Sequence, residues 1–153
     1  MALQLTAPIE KTEELEETNK LYPPSEGEEP TRVTIKQASQ AENERRQDQF
    51  SDIHTELSYD TSGRQVVVSR EKHNVEAMKR LDAFLTLVDT NIVVIEKGKK
   101  KPEPLFKFED GELKMTEAEF KEAWGKLPVS VTDEIHSKIV KVNPDWSRRG
   151  NLL

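Results

Sequence analysis

The chain has 153 residues, of which 34% are hydrophobic and 34% are charged, and its formal net charge is −6. It contains no cysteine, which excludes disulfide bonds, thiolate nucleophiles and cysteine metal sites. No apolar run approaches the ~18 residues that a membrane span needs. The first residues also lack the basic start and apolar core of a secretory signal. We therefore expect a cytoplasmic protein.

Residues 1–30 account for the acidity of the whole chain. They hold eight acidic residues, two lysines and four of the eight prolines, so residues 31–153 balance to neutrality. A Glu- and Pro-rich segment with few large apolar residues buries too little surface to offset the entropy of ordering. We predict a disordered, solvated arm over residues 1–30. A short helix that uses Leu15 and Leu21 to find a partner groove is the alternative.

The folded body is predicted to begin with a strand and a helix. Residues 31–36 alternate apolar and polar side chains, which is typical of a strand. Ser39 and Glu42 have the spacing of a capping box, in which each side chain accepts a hydrogen bond from the other residue's backbone N–H. We predict that this box begins a helix of about twenty residues that ends near Leu57.

The next elements are a loop, a strand and the strongest helix of the chain. Residues 58–63 have loop composition, and residues 65–68 (QVVV) are β-branched and apolar, as in a strand. Ser69 is a candidate N-cap for a helix over residues 70–88, which we expect to be the central element. Its apolar stripe is Val75, Ala77, Met78, Leu81, Phe84, Leu85 and Val88.

A strand, a polar linker and a hairpin are predicted to follow. Residues 91–95 (NIVVI) indicate a strand, and residues 96–104 are too basic and Pro-rich to pack. Asp110-Gly111 suits a type I′ turn, because glycine accepts positive φ and aspartate tolerates it. A turn centred there pairs residue 108 with 113 and residue 106 with 115. It places four apolar side chains on one face, namely Phe106, Phe108, Leu113 and Met115.

Two short amphipathic helices are predicted to complete the body. Thr116 and Glu119 form a second capping box, and Gly125 stands where a helix C-cap needs positive φ. Pro128 suits the first position of the following helix. The apolar stripe of that helix is Val131, Ile135, Ile139 and Val142, and Asn143-Pro144 ends it.

Together these elements predict an α+β fold. One domain spans residues 31–146, with a long central helix and several shorter helices packed on a small, mainly antiparallel sheet. The acidic arm (residues 1–30) precedes this domain, and a short tail (residues 147–153) follows it.

No residue pattern indicates catalysis. His54, His73 and His136 are far apart and lack metal-ligand spacing, so each is predicted to be an ordinary surface or flanking residue. There is no Gly-rich phosphate loop and no nucleophile motif, although distant carboxylates can still converge in a fold. We expect no enzyme activity, no cofactor and no metal.

The single dense basic run is interpreted mainly as a solvated loop. It consists of Lys97, Lys99, Lys100 and Lys101. Contact with phosphate is an alternative, but a neutral domain with an acidic arm does not favour nucleic-acid binding. Contact with the acidic arm of a neighbouring subunit is another, so a homo-oligomer stays open.

Both tryptophans lie at helix breaks. The helical spacing around Trp124 favours a core position, whereas Trp146 either folds back as a lid or joins an exposed patch. Apolar and aromatic residues at a helix corner also suit a protein-binding surface. The candidate partner-binding residues are Phe120, Trp124, Leu127, Ile135 and Trp146.

Several segments resemble small proteins of tailed bacteriophages. They are VTIKQASQAENERRQDQF (33–50), AFLTLVDTNI (83–92), PLFKFEDGELKMTEAEFKEAWGKLP (104–128) and VTDEIHSKIVKVNPDW (131–146). The family that the chain resembles is the tail assembly chaperones of long-tailed phages. The resemblance implies a small, non-enzymatic, cofactor-free protein of the host cell cytoplasm. Such a protein binds the tape measure protein and keeps it soluble while tail tube subunits polymerise around it, and it usually leaves before the particle is complete.

A structural protein of the virion is the alternative expectation. It would belong to the neck, tail or capsid surface, and its acidic, Pro-rich arm would thread along neighbouring subunits. The basic pair Arg148-Arg149 in the C-terminal tail would provide a second anchor.

Overall fold

The computed structural model of the protein describes residues 8–51, 55–59, 65–69 and 71–147, with side-chain surroundings for residues 8–49 and 75–147. Within these ranges the helices are α1 (Glu16–Leu21), α2 (Gln40–Ser51), α3 (Glu71–Thr86), α4 (Glu117–Trp124) and α5 (Val129–Val142). The strands are β1 (Glu10–Glu14), β2 (Arg32–Lys36), β3 (Thr55–Tyr59), β4 (Gln65–Ser69), β5 (Leu87–Thr90), β6 (Val93–Val94), β7 (Glu103–Pro104), β8 (Phe108–Glu109) and β9 (Glu112–Leu113). The predicted α+β class is confirmed.

The main sheet is antiparallel and has β2 at its centre, between β1 and β5. The predicted strand over residues 31–36 is confirmed, and the side chains of Val33 and Ile35 are fully buried. Helix α5 contacts β2 and α3, so the core lies between the sheet and these two helices. The predicted stripe of α5 is confirmed, because all four of its apolar residues are buried.

The prediction of a disordered arm over residues 1–30 was wrong for residues 10–21. Strand β1 pairs with β2 along its whole length, from Glu10 opposite Lys36 to Glu14 opposite Arg32. Leu15 is then fully buried in the core. A strand held by its backbone ladder tolerates a charged sequence, and one deeply buried leucine anchors it. Residues 1–7 lie outside the described residues.

The helix predicted to reach Leu57 ends earlier. Its capping box is confirmed, with Ser39 N to Glu42 Oε1 at 3.0 Å and Glu42 N to Ser39 Oγ at 3.2 Å. Helix α2 ends at Ser51, and the chain forms β3, which pairs antiparallel with β4. Residue 57 faces Val67 of the predicted QVVV strand, so pairing with this strand outcompetes continuation of the helix. Ser58 and Tyr59 of the predicted loop therefore belong to β3, and residues 60–63 lie outside the described residues.

The central helix is also shorter than predicted. Ser69 ends β4 instead of capping a helix, and α3 stops at Thr86, where the chain enters β5. A bulge pairs Ile35 with Leu87 but Thr34 with Asp89. The extra residue, Val88, is buried like Leu87, which explains why both resembled a helix stripe.

The strand predicted over residues 91–95 is reduced to the two residues of β6. It pairs with β7, so the polar linker predicted over residues 96–104 contributes one short strand. The hairpin of β8 and β9 is confirmed, with Phe108 opposite Leu113. Its turn has φ of 53° at Asp110 and 75° at Gly111, as a type I′ turn requires.

The corner between α4 and α5 forms without a left-handed residue. The Thr116–Glu119 capping box is confirmed, but Gly125 has φ of −64°, so the predicted positive φ was wrong. The backbone N–H of Lys126 instead donates to the carbonyl of Ala123 at 3.1 Å, which tightens the last turn. Pro128 is the N-cap of α5, one residue before its predicted place.

Helix α1 is capped by a residue from the far end of the sequence. The carboxylate of Glu134 accepts hydrogen bonds from the backbone N–H groups of Glu17 and Thr18, each at 2.8 Å, and from Thr18 Oγ1 at 2.7 Å. Leu15, at the N-cap, provides no side-chain hydrogen bond. Burial raises the pKa of Glu134, but these three hydrogen bonds outweigh burial, so its pKa is below the ordinary value.

Replacement of Glu134 by Gln should loosen α1 and lower the free energy of unfolding by about 1–2 kcal/mol at neutral pH. A carboxylate with a lowered pKa stabilises the fold above its unfolded pKa, near 4.5, and this stability is lost as pH falls through the folded value. Urea unfolding of both proteins should therefore give a gap at pH 7 that narrows below pH 4.5. Glu122→Gln on the exposed face of α4 is the control. An equal loss in both variants would contradict the capping role.

Candidate functional site

The predicted partner-binding residues form the interior of the domain. Phe120 and Ile135 have no exposed surface, and Trp124 is buried, as the core prediction for this tryptophan required. Leu127 is half-buried and packs against the same core. These side chains already contact the protein itself, so a partner cannot bind them without opening the fold.

Phe120 is the centre of an aromatic cluster that joins three parts of the chain. Its ring lies 5.5 Å from that of Phe84 on α3 in an edge-to-face arrangement. It stacks on Phe106 at 5.1 Å and on Trp124 at 5.8 Å. Such pairs stabilise beyond the area that they bury. The cluster therefore fixes α4 and the segment before the hairpin against α3.

Trp146 folds back as a lid, which resolves the alternative left open by the sequence. It ends a short 3-10 turn at Pro144–Trp146, and only 3% of its surface is exposed. Its indole Nε1 donates to Asn43 Oδ1 at 3.0 Å, and the guanidinium carbon of Arg46 lies 4.9 Å from the ring centroid. A cation over an indole face is a favourable arrangement, so α2 holds the lid closed.

A buried ionic network lies below this lid. Asp82 on α3 has no exposed surface, and its Oδ1 accepts a hydrogen bond from Arg46 Nε at 2.5 Å. Its Oδ2 lies 2.8 Å from His136 Nε2 and 3.3 Å from Arg46 Nη2. The prediction that His136 is a surface or flanking residue was wrong. His54 and the side chain of His73 lie outside the described residues.

The contacts of this network join α2, α3 and α5. Both oxygens of Asp82 are engaged, and in the described part of the chain every buried side-chain nitrogen and oxygen has a hydrogen-bond partner.

Among the described residues no group of three or more His, Asp or Glu side chains is arranged to hold a metal ion. Nor does any described helix combine the length and apolar character needed to cross a bilayer.

The exposed apolar residues are concentrated at one end of the domain. We call it the α1 end and define it by Leu21, Tyr22, Val93, Ile95 and Val129, whose exposed fractions are between 53% and 67%. The directions of the strands in the main sheet bring the segments that carry these residues to the same end. Strand β5 runs towards the Arg32 end of β2, and β1 also ends there before α1. Helix α5 begins at this end, because its other terminus binds Lys36 and Ala38 through Asn143.

Hydrogen bonds tie the segments of the α1 end together. Thr31 exchanges two with Asn19 of α1, and Asn91 bonds the backbone of residues 30 and 32. Lys126, at the corner before α5, pairs with Glu96 at 2.9 Å beside Ile95. The hydrogen bond and the charge of Lys126 hold the pKa of Glu96 below its ordinary value. Sequence periodicity missed this surface because its residues come from three short, separate segments.

Removal of the buried charge tests the structural role of Asp82. Asp82→Asn leaves Arg46 without its full counter-charge inside the fold, and we expect a loss of about 3–5 kcal/mol in the free energy of unfolding. Urea denaturation with a far-UV signal measures this loss. Asp89→Asn on the exposed side of β5 is the control and should stay within about 0.5 kcal/mol of the parent. Similar losses in both variants would refute the role.

Comparison of the chain with protein-family models, curated proteins and solved structures gives no match. A function for the chain must therefore be argued from its own residues.

Proposed function

We propose that the protein is a non-enzymatic tail assembly chaperone of a long-tailed phage, which binds the tape measure protein during tail assembly. The observation that carries the proposal is the placement of five exposed apolar side chains at the α1 end, on segments that the sheet and hydrogen bonds bring to that end. Single exposed apolar residues are normal on a protein surface, but a group of them at one end favours a binding surface. The resemblance described above supplies the partner.

The α1 end suits reversible binding. Burial of one such side chain contributes about 1–2 kcal/mol, before the cost of bringing two proteins together. Burial of all five, of which Tyr22 is the aromatic member, would give moderate affinity, and the complex would dissociate when tube subunits cover the tape measure protein. Leu21, Val93 and Val129 belong to a helix or strand, so binding requires little ordering of these residues.

The proposal is tested by co-expression with the tape measure protein of the same phage. We expect the wild-type chain to increase the soluble fraction of that protein and to copurify with it. The variant Tyr22→Ser/Ile95→Ser/Val129→Ser should bind at least tenfold more weakly, because it removes apolar contact area without touching the core. Its unfolding midpoint should stay close to that of the parent.

Ile9 provides a matched control. It is 62% exposed but lies at the opposite end, where its carbonyl accepts a hydrogen bond from Gln37. Ile9→Ser should leave tape measure binding unchanged. Equal losses in both variants, or no effect of the triple variant, would refute the α1 end as the binding surface.

Quantitative mass spectrometry of purified particles distinguishes the chaperone from the virion protein. Abundance in infected cells together with absence from mature particles is the result expected for a chaperone. A fixed copy number in each particle, calibrated against the major tail protein, would make the chain a structural subunit of the neck, tail or capsid surface.

A further inference from the structure

A second surface, independent of the α1 end, lies between the main sheet and the β8–β9 hairpin. It is a cleft of about 550 Å³, a size typical of binding sites. Its apolar floor comes from the end of α3 and from β5 and includes Phe84 and Leu87. One wall is the Glu10–Lys36 end of the β1–β2 ladder, and the other is the hairpin turn. A smaller depression beside it shares Glu10 and the hairpin turn and extends the cleft along β5.

The cleft has a strong excess of negative charge. The acidic residues along it are Glu10, Glu42, Asp89, Glu109, Asp110 and Glu112. The one basic residue that lines it is Lys36, whose ammonium is already paired with Glu42 at 3.1 Å. In the described part of the chain, Glu10, Asp89, Glu109 and Asp110 form no ion pair. An apolar floor below unpaired carboxylates suits a segment with lysine ammonium groups and aliphatic stems.

The same chain displays such a segment. The basic loop, residues 97–101 (KGKKK), connects β6 to β7 and is exposed. A hydrogen bond from Lys99 N to the carbonyl of Glu96 at 3.0 Å and a φ of 89° at Gly98 define its turn. A preformed turn loses less conformational entropy on docking than a flexible one. Within the described residues, Lys97, Lys100 and Lys101 form no ion pair.

The loop and the cleft lie at opposite ends of one molecule. Glu96, just before the loop, is tied to Lys126 near the start of α5, whereas Lys36 of the cleft is tied to Asn143 after its end. The 14 residues of α5 separate these points by ~21 Å. A basic loop therefore meets an acidic cleft only on another copy.

We propose that the protein self-associates head to tail, with the basic loop of one copy docked in the acidic cleft of the next. Such a heterologous contact forms a ring if its rotation closes and an open chain if it does not. Exposed ion pairs are individually weak, and each copy carries a net charge of −6, so the association is weak and sensitive to salt. The inference does not rest on the proposed function.

Sedimentation velocity of the full chain tests the proposal, over concentrations from about 10 µM to 1 mM. We expect the weight-average mass to rise with concentration at ~20 mM salt and to fall towards the monomer at ~500 mM, where screening is nearly complete. A monomer at every concentration in low salt would overturn the inference. Association that does not respond to salt would overturn it too.

Two charge-reversal variants identify the surfaces. The loop variant is Lys100→Glu/Lys101→Glu, and the cleft variant is Asp89→Lys/Glu109→Lys; all four side chains are exposed, so the fold should be retained. Each variant alone should self-associate at least tenfold more weakly than the parent. Lys11→Glu/Lys121→Glu changes the net charge as the loop variant does, on exposed side chains that neither line the cleft nor belong to the loop. It should keep most of the association.

A mixture of the two variants gives the sharpest result. The intact loop of the cleft variant fits the intact cleft of the loop variant, so the mixture should recover association that neither protein shows alone. Failure of the mixture to associate would refute the pairing of these two surfaces. The triple variant of the α1 end should retain salt-sensitive association. The triple variant keeps the loop lysines and the cleft carboxylates, so loss of tape measure binding and loss of self-association are separated by the side chains that each variant replaces.

Discussion

The fold depends on one buried carboxylate, that of Asp82. A charge with no exposed surface is costly unless it is paired and hydrogen-bonded, and here Arg46 and His136 meet that requirement from two other helices. Asp82 thereby fixes α2 and α5 relative to α3. Arg46 extends the constraint to Trp146, whose ring it covers. Helices α2, α3 and α5 thus meet at Asp82, and the turn that carries Trp146 is joined to them through Arg46.

Both surfaces described above follow from the sheet at the centre of the domain. Because β2 is flanked by two antiparallel strands, the segments that leave β1 and β5 emerge together at the Arg32 end, where apolar side chains stay exposed. The hairpin turn stands over the other end and encloses the acidic cleft. The two ends of the molecule therefore carry chemically different surfaces. This asymmetry makes both reversible partner binding and head-to-tail association compatible with one fold.

Most capping and turn signals in the sequence were confirmed, although the positive φ expected at Gly125 was not, whereas features that depend on long-range contacts were missed. The two capping boxes, the Asp110-Gly111 turn and the stripe of α5 depend on residues a few positions apart, and the structure confirms them. The order of residues 10–21 depends instead on β2 and on Glu134, which no local pattern identifies. Because Val88 is the extra residue of a bulge, the apolar residues that lead into β5 had the spacing of a helix, and the sequence did not predict this strand. The two proposed surfaces, the α1 end and the acidic cleft, combine single residues from separate segments and were not predicted, whereas most residues of the predicted aromatic site are buried in the core.

The cap on α1 has a consequence for how the chain folds. Thr18 and Glu134 are 116 positions apart, so this contact closes a loop that spans most of the chain. During synthesis, β1 and β2 can pair early, but α1 and Leu15 have no complete binding site until α5 has left the ribosome. Contacts between residues so far apart in sequence slow folding and prolong the exposure of apolar surface. Helix α1 is therefore secured only after α5 has been synthesised.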